Sequence, residues 1–137
     1  MAEAPGRKAR ATSTGAGRIL VAVYGIFALS ATARAAVQIV GKFSQAPLAY
    51  LLSAMAGVVY ILATVGLAST RPWARPLAWT AVLFELTGVL VVGTLTVLDA
   101  GDFPDDTVWS FYGRGYGFIP LVLPLVGLWW LHRTRAR

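Results

Sequence analysis

Two ionisable residues of opposite sign sit inside otherwise apolar runs. Glu85 lies in PLAWTAVLFELTGVLVVGTLTVL (76–98) and Arg34 in ILVAVYGIFALSATARAAVQIV (19–40). A charge at the centre of a bilayer costs about 2.5–3.5 kcal/mol on insertion scales, so such residues face a bundle interior and find partners. Three chemistries follow: an ion or proton relay, a polar ligand pocket, or a structural pair that fixes helix packing. Gln38 and Lys42 follow Arg34 at i+4 and i+8, so the three share one helical stripe. Arg34, Gln38 and Glu85 together form the candidate intramembrane polar centre. Depth separates its charges. Arg34 is seven residues before Gly41, about 10 Å at 1.5 Å per residue, whereas Glu85 is fourteen residues before Asp99, about 21 Å. The arginine side chain leans toward its own N-terminus, which narrows the gap. Direct pairing then requires helix tilt.

A second cluster is acidic. Asp99, Asp102, Asp105 and Asp106 lie in DAGDFPDDTVWSFYGRG (99–115) and make up four of the six acidic residues in the chain. Either this loop folds over the mouth of the bundle and pairs with Lys42 and Arg34, or it is a solvated loop whose charge reinforces topology. It lacks the D-x-[DN]-x-[DN]-G-x5-E spacing of a calcium loop. Gly113, Gly115 and Gly117 alternate without the dinucleotide-binding spacing or any βαβ context. There is no cysteine, His132 is the sole histidine, and no serine or threonine has a recognisable base partner. The expectation is no enzyme: no catalytic residues, no cofactor and no metal.

The elements that must position these residues are helices of membrane-spanning length. Hydrocarbon about 30 Å thick needs roughly 20 apolar residues. The runs 19–40, 48–68 and 76–98 meet that length. A fourth, YGFIPLVLPLVGLWWL (116–131), is 16 residues long, holds Pro120 and Pro124 one turn apart, and predicts a kinked or late-starting helix over about 114–132. The expected fold is all-α: a polytopic four-transmembrane-helix bundle over 18–132, between a disordered basic tail (1–17) and a short basic tail (133–137). Gly25, Ala28, Thr32 and Ala36 give the first helix a smooth face, and Ser53 and Gly57 give the second a small-xxx-small pair, both suited to close helix contact. A cleavable leader is the rival reading of residues 1–35, with Ala31-Thr32-Ala33 or Ala33-Arg34-Ala35 as the cleavage site. Against it, apolar character resumes through Val40 and completes a span.

Composition agrees with the membrane reading. The 137 residues are 57% hydrophobic and 13% charged, against about 45–50% and about 25% in soluble domains. The net charge of +6 invites a nucleic-acid reading, but the cations form no basic face. Nine of the eleven Lys/Arg residues outside the spans fall in the N-terminal tail, the second loop and the C-terminal tail. Four spans put all three on one side, so the positive-inside rule sets both termini in the cytoplasm and the protein in the cytoplasmic membrane. Trp73, Trp79, Trp129 and Trp130 would form an inner aromatic belt, and Tyr50, Trp109, Tyr112 and Tyr116 an outer one.

The segments GRILVAVYGIFALSATARAAVQ, FSQAPLAYLLSAMAGVVYILATVGLA, ELTGVLVVGTL and FPDDTVWSFYGRGYGFIPLVLPLVGLWWL resemble small four-helix integral membrane proteins of high-GC actinobacteria. That resemblance covers roughly residues 17–131 and implies no activity. A shorter one, Glu85 followed by Leu and Gly-rich apolar sequence, is similar to DoxX-like membrane proteins, where the motif would sit on the second helix rather than the third. Three functions are expected: a non-catalytic scaffold or accessory subunit binding other transmembrane helices, a small ion- or proton-coupled transporter built on Arg34 and Glu85, or, from the DoxX-like resemblance alone, an auxiliary subunit of a membrane redox complex. The expected partners are the lipid bilayer and either further copies of the chain or a larger membrane complex.

Overall fold

A computed structural model describes residues 15–45, 47–99, 107 and 109–134, except for the side chains of residues 42 and 43. Every secondary-structure element among them is helical. The helices are α1 (Gly15–Lys42), α2 (Pro47–Ala68), α3 (Ala74–Leu98) and α4 (Ile119–Thr134), with short 3-10 segments at Phe43–Gln45 and Ser110–Tyr116. The terminal residues, Asp102, Asp105 and Asp106 lie outside the described residues, as does the Lys42 side chain.

The helices form where the apolar runs predict them. Threonine is tolerated within them because its hydroxyl bonds back to the preceding turn. Thr64, Thr80, Thr87, Thr96 and Thr134 each donate to the carbonyl four residues earlier at 2.7–2.9 Å. Pro47 and Pro76 stand in first turns, where a missing N–H is harmless. The Asp99 N–H donates to the Leu95 carbonyl at 2.8 Å and closes α3.

The fourth helix begins at Ile119, five residues later than the 114 expected. Phe111, Tyr112 and Gly113 all adopt left-handed backbone angles, and Gly117 and Phe118 do so again. Gly117 N–H bonds the Arg114 carbonyl and Phe118 N–H the Gly113 carbonyl, which closes the 3-10 segment as a Schellman turn. The segment therefore meets α4 at a 98° bend and does not extend its axis. α1, α2 and α3 are each long and apolar enough to cross a membrane, and the bent pair makes a fourth span if counted as one.

The packing is rich in small and aromatic residues. Ala28, Ala31, Ala56, Ala63, Ala78, Tyr24, Tyr50 and Tyr60 are buried, alongside Leu67, Val82, Val89 and Leu131. Leu29, Val37, Val40 and Leu98 stand 70% or more exposed. Small residues bring backbones together. A Cβ on Gly66 would lie 2.7 Å from the Ala78 nitrogen, and one on Gly57 would lie 3.3 Å from the Thr32 Cα. The contacts expected of the α1 and α2 small-residue faces are thus made partly within the chain. Such close contacts suit lipid, where close approach replaces the hydrophobic drive between helices.

Candidate functional site

The core stripes of three helices converge on Glu85. On α3 the buried residues run Ala74, Ala78, Ala81, Val82, Glu85, Val89 and Val92, with the spacing of one helical face. Glu85 is thereby fully buried. The α1 stripe (Leu20, Tyr24, Ala28, Ala31) turns Tyr24 toward it, and the Tyr24 hydroxyl donates to Glu85 Oε1 at 2.6 Å. Glu85 Oε2 has no hydrogen-bond partner. α4 reaches the same point at Gly127, where a Cβ would lie 3.1 Å from the Tyr24 hydroxyl.

Arg34 goes elsewhere. It is half-buried on α1, and its guanidinium donates to the Tyr116 hydroxyl at 2.7 Å. Between the two charges stands a cluster of mutually tilted rings. Phe27 lies against Tyr60 and Tyr116 with centroids 5.6 and 5.8 Å apart, and Tyr60 lies 6.2 Å from Tyr24 and 6.4 Å from Trp109. The Trp109 indole N–H donates to the Tyr60 hydroxyl at 3.1 Å. The structure thus places Arg34 and Glu85 on separate tyrosines. Gln38 is buried on the same stripe as Arg34, and its Oε1 has no partner. Asp99 is exposed at the end of α3.

The 109–116 segment is held against α3. Phe111 N–H donates to Thr96 Oγ1 at 2.8 Å, and Tyr112 and Thr94 hydroxyls meet at 2.9 Å. Two glycines seat its rings: a Cβ on Gly88 would fall 2.5 Å from the Trp109 ring, and one on Gly93 would overlap the Tyr112 ring. At the opposite end of the bundle, Arg75 donates to the Leu131 carbonyl at 2.7 Å and ties the start of α3 to the end of α4.

Tyr50 and Trp109, expected in an outer aromatic belt, are fully buried. Polar tips on aromatic rings seek partners when buried, and Trp109 finds its partner inside the bundle. Tyr24, Tyr60 and Gly127 are site residues that apolar patterning does not mark. The signal present in the sequence is a tyrosine inside an apolar run, whose hydroxyl needs an acceptor, in a chain whose spans hold one carboxylate.

Two cavities meet at Arg34 and Tyr116. One, of about 240 Å³, is lined by Arg34, Thr107, Ser110, Arg114 and Tyr116 among others. The other, of about 100 Å³, runs inward past Phe27, Ala31 and Ser53. Glu85 lines neither. Comparison of the chain with protein-family models, with curated proteins and with solved structures returns no match.

Proposed function

We propose that this is a four-span protein of the cytoplasmic membrane with both termini inside, acting as a non-catalytic scaffold or accessory subunit that packs against other transmembrane helices. The observation that carries the reading is the separation of the two charges. A relay needs a continuous polar route, whereas Glu85 is enclosed by Tyr24, α4 and apolar side chains, and the ring cluster lies between it and Arg34. Glu85 then fixes helix packing. A shallow groove between α1 and α2, floored by Gly25, Ala28, Thr32 and Thr64, offers the close approach a partner helix needs. The charge asymmetry of the loops supports the orientation.

The test compares wild type, Glu85→Gln and Glu85→Ala for protein level in membranes and for proton-coupled flux in liposomes. A scaffold gives no flux in any of the three and loses protein level in the alanine variant. Wild-type flux that Glu85→Gln abolishes without loss of protein supports the small-transporter reading instead. Co-purification in mild detergent, repeated with Gly25→Leu and Thr64→Leu to fill the groove, tests whether partners seat there.

A further inference from the structure

We propose that the cavity walled by α1, Ser53 and Tyr116 binds an uncharged, lipid-soluble carbonyl compound. Its oxygen accepts from the Ser53 hydroxyl, and its apolar body lies along Phe27 and Ala31. Ser53 supplies the reason for a ligand. Thr64, on the same helix, returns its hydroxyl to the preceding turn at 2.7 Å. Ser53 does not: the residue is only 2% exposed, and its Oγ has no hydrogen-bond partner. It lines a cavity of about 100 Å³, so the unmet hydroxyl borders open space rather than packed side chains. A buried polar group without a partner in the chain calls for one from outside it.

The rest of the wall sets the chemistry. Ile26, Phe27, Ser30, Ala31 and Arg34 share one face of α1, and Tyr116 lines the cavity as well. Arg34 is engaged: it donates to the Tyr116 hydroxyl at 2.7 Å and has a further interaction besides. The polar group left for an occupant is therefore a serine hydroxyl, which suits a neutral acceptor and cannot offset the desolvation of a full charge. Phe27 is held between Tyr60 and Tyr116, with ring centroids 5.6 and 5.8 Å away, so the apolar wall is preformed. An apolar cavity of about 150 Å³ takes up benzene. This one, of about 100 Å³, accepts a single ring or a short length of chain. Ile26 is 62% exposed and Ser30 is exposed beside it, so entry is sideways from the acyl layer. The groove at Gly25, Leu29 and Thr32 lies on another face of α1, so the inference stands whether or not a partner helix packs there. Such a carbonyl comes either from a free lipophile or from the ester of a glycerolipid.

The test is fluorine NMR of the full-length protein in dodecyl maltoside, a detergent without carbonyl groups. The probes are para-fluoroacetophenone and para-fluoroethylbenzene, matched in shape but for the carbonyl. One saturable ketone site per chain is expected, about fivefold tighter than the hydrocarbon, the gain of one hydrogen bond. Ser53→Ala should abolish that preference while the hydrocarbon still binds. Its melts should show no loss of stability, because the buried hydroxyl it removes has no partner. Ser30→Trp, at the exposed mouth, should block both probes, with melts to confirm its fold. Equal binding of the two probes, undiminished binding to a folded Ser30→Trp, or a ketone preference that survives in Ser53→Ala overturns the proposal. No saturable binding leaves the cavity to water and overturns it as well. Displacement of the ketone by a short-chain diester phosphatidylcholine, but not by its diether analogue, assigns the carbonyl to a bilayer lipid. Displacement by neither assigns the site to a free lipophile, and equal displacement by both overturns the role of the carbonyl.

Discussion

Removing the Tyr24 hydroxyl tests the idea that Glu85 exists to hold helices together. In Tyr24→Phe the ring keeps its place among Tyr60 and the α4 glycine, and only the 2.6 Å bond to Glu85 Oε1 is lost. Intramembrane hydrogen bonds average about 0.6 kcal/mol and reach about 1.7 kcal/mol. The upper part of that range applies here, because Glu85 is fully buried and its second oxygen already lacks a partner. A destabilisation of about 1.5 kcal/mol is expected, from a carboxyl left with no hydrogen bond at all. Glu85→Leu should destabilise by about 1–2 kcal/mol, because it strands the tyrosine hydroxyl instead. The double variant removes both polar groups, so its cost should fall well below the sum, with a coupling of about 1 kcal/mol or more. Glu85→Gln keeps an acceptor oxygen and should fall between wild type and the leucine variant. The assay is reversible unfolding in mixed micelles, followed by circular dichroism. Additivity of the two single changes within about 0.3 kcal/mol refutes the reasoning, because groups that do not interact behave that way.

Other sites give sharper contrasts. Gly66→Ala should destabilise by about 1–3 kcal/mol or more, because its Cβ would lie 2.7 Å from the Ala78 backbone nitrogen. Gly25→Ala meets only Thr64 Cγ2, at 3.8 Å, and should be neutral or stabilise by up to about 1 kcal/mol in the same unfolding assay. Trp109→Phe keeps a ring on Gly88 but drops the Nε1 bond to Tyr60, and melts should show a loss of about 0.6–1.7 kcal/mol. The chain has no cysteine, so single cysteines report sidedness cleanly. An impermeant thiol reagent on intact cells should label Arg114→Cys and spare Arg71→Cys, and the reverse pattern would overturn the orientation.

The middle of the bundle was legible in the sequence because continuous apolar runs leave little choice. The spans expected at 48–68 and 76–98 match Pro47–Ala68 and Ala74–Leu98 to within two residues. α1 starts at Gly15 rather than 19, because Gly15, Ala16, Gly17 and Arg18 carry no apolar signal although they continue the helix. The late start of α4 follows from left-handed backbone at Phe111, Tyr112 and Phe118, residue types that carry no propensity for it. Periodicity marks the face that holds Glu85, but not which residue on another helix meets it. Tyr24 is 61 residues away in sequence, and Arg34 finds Tyr116 at a separation of 82. Opposite charge suggests an Arg34–Glu85 pair, yet the rings lie between and each charge bonds a different tyrosine hydroxyl.

That arrangement explains why a carboxyl persists in so apolar a helix. Leucine and valine on the outside of α3 are as well solvated by lipid as by protein, so they do not choose its rotation. Glu85 does. Turning α3 by one residue, about 100°, would carry the carboxyl from Tyr24 toward lipid, at about 2.5–3.5 kcal/mol. The same turn would take Gly88 from under Trp109 and Thr96 from the Phe111 N–H. α3 is thus keyed at mid-span by a polar bond to α1, near one end by the 109–116 segment, and at the other by Arg75 on the Leu131 carbonyl. A helix fixed at three heights presents constant outer faces, which is what the proposed packing against other transmembrane helices requires.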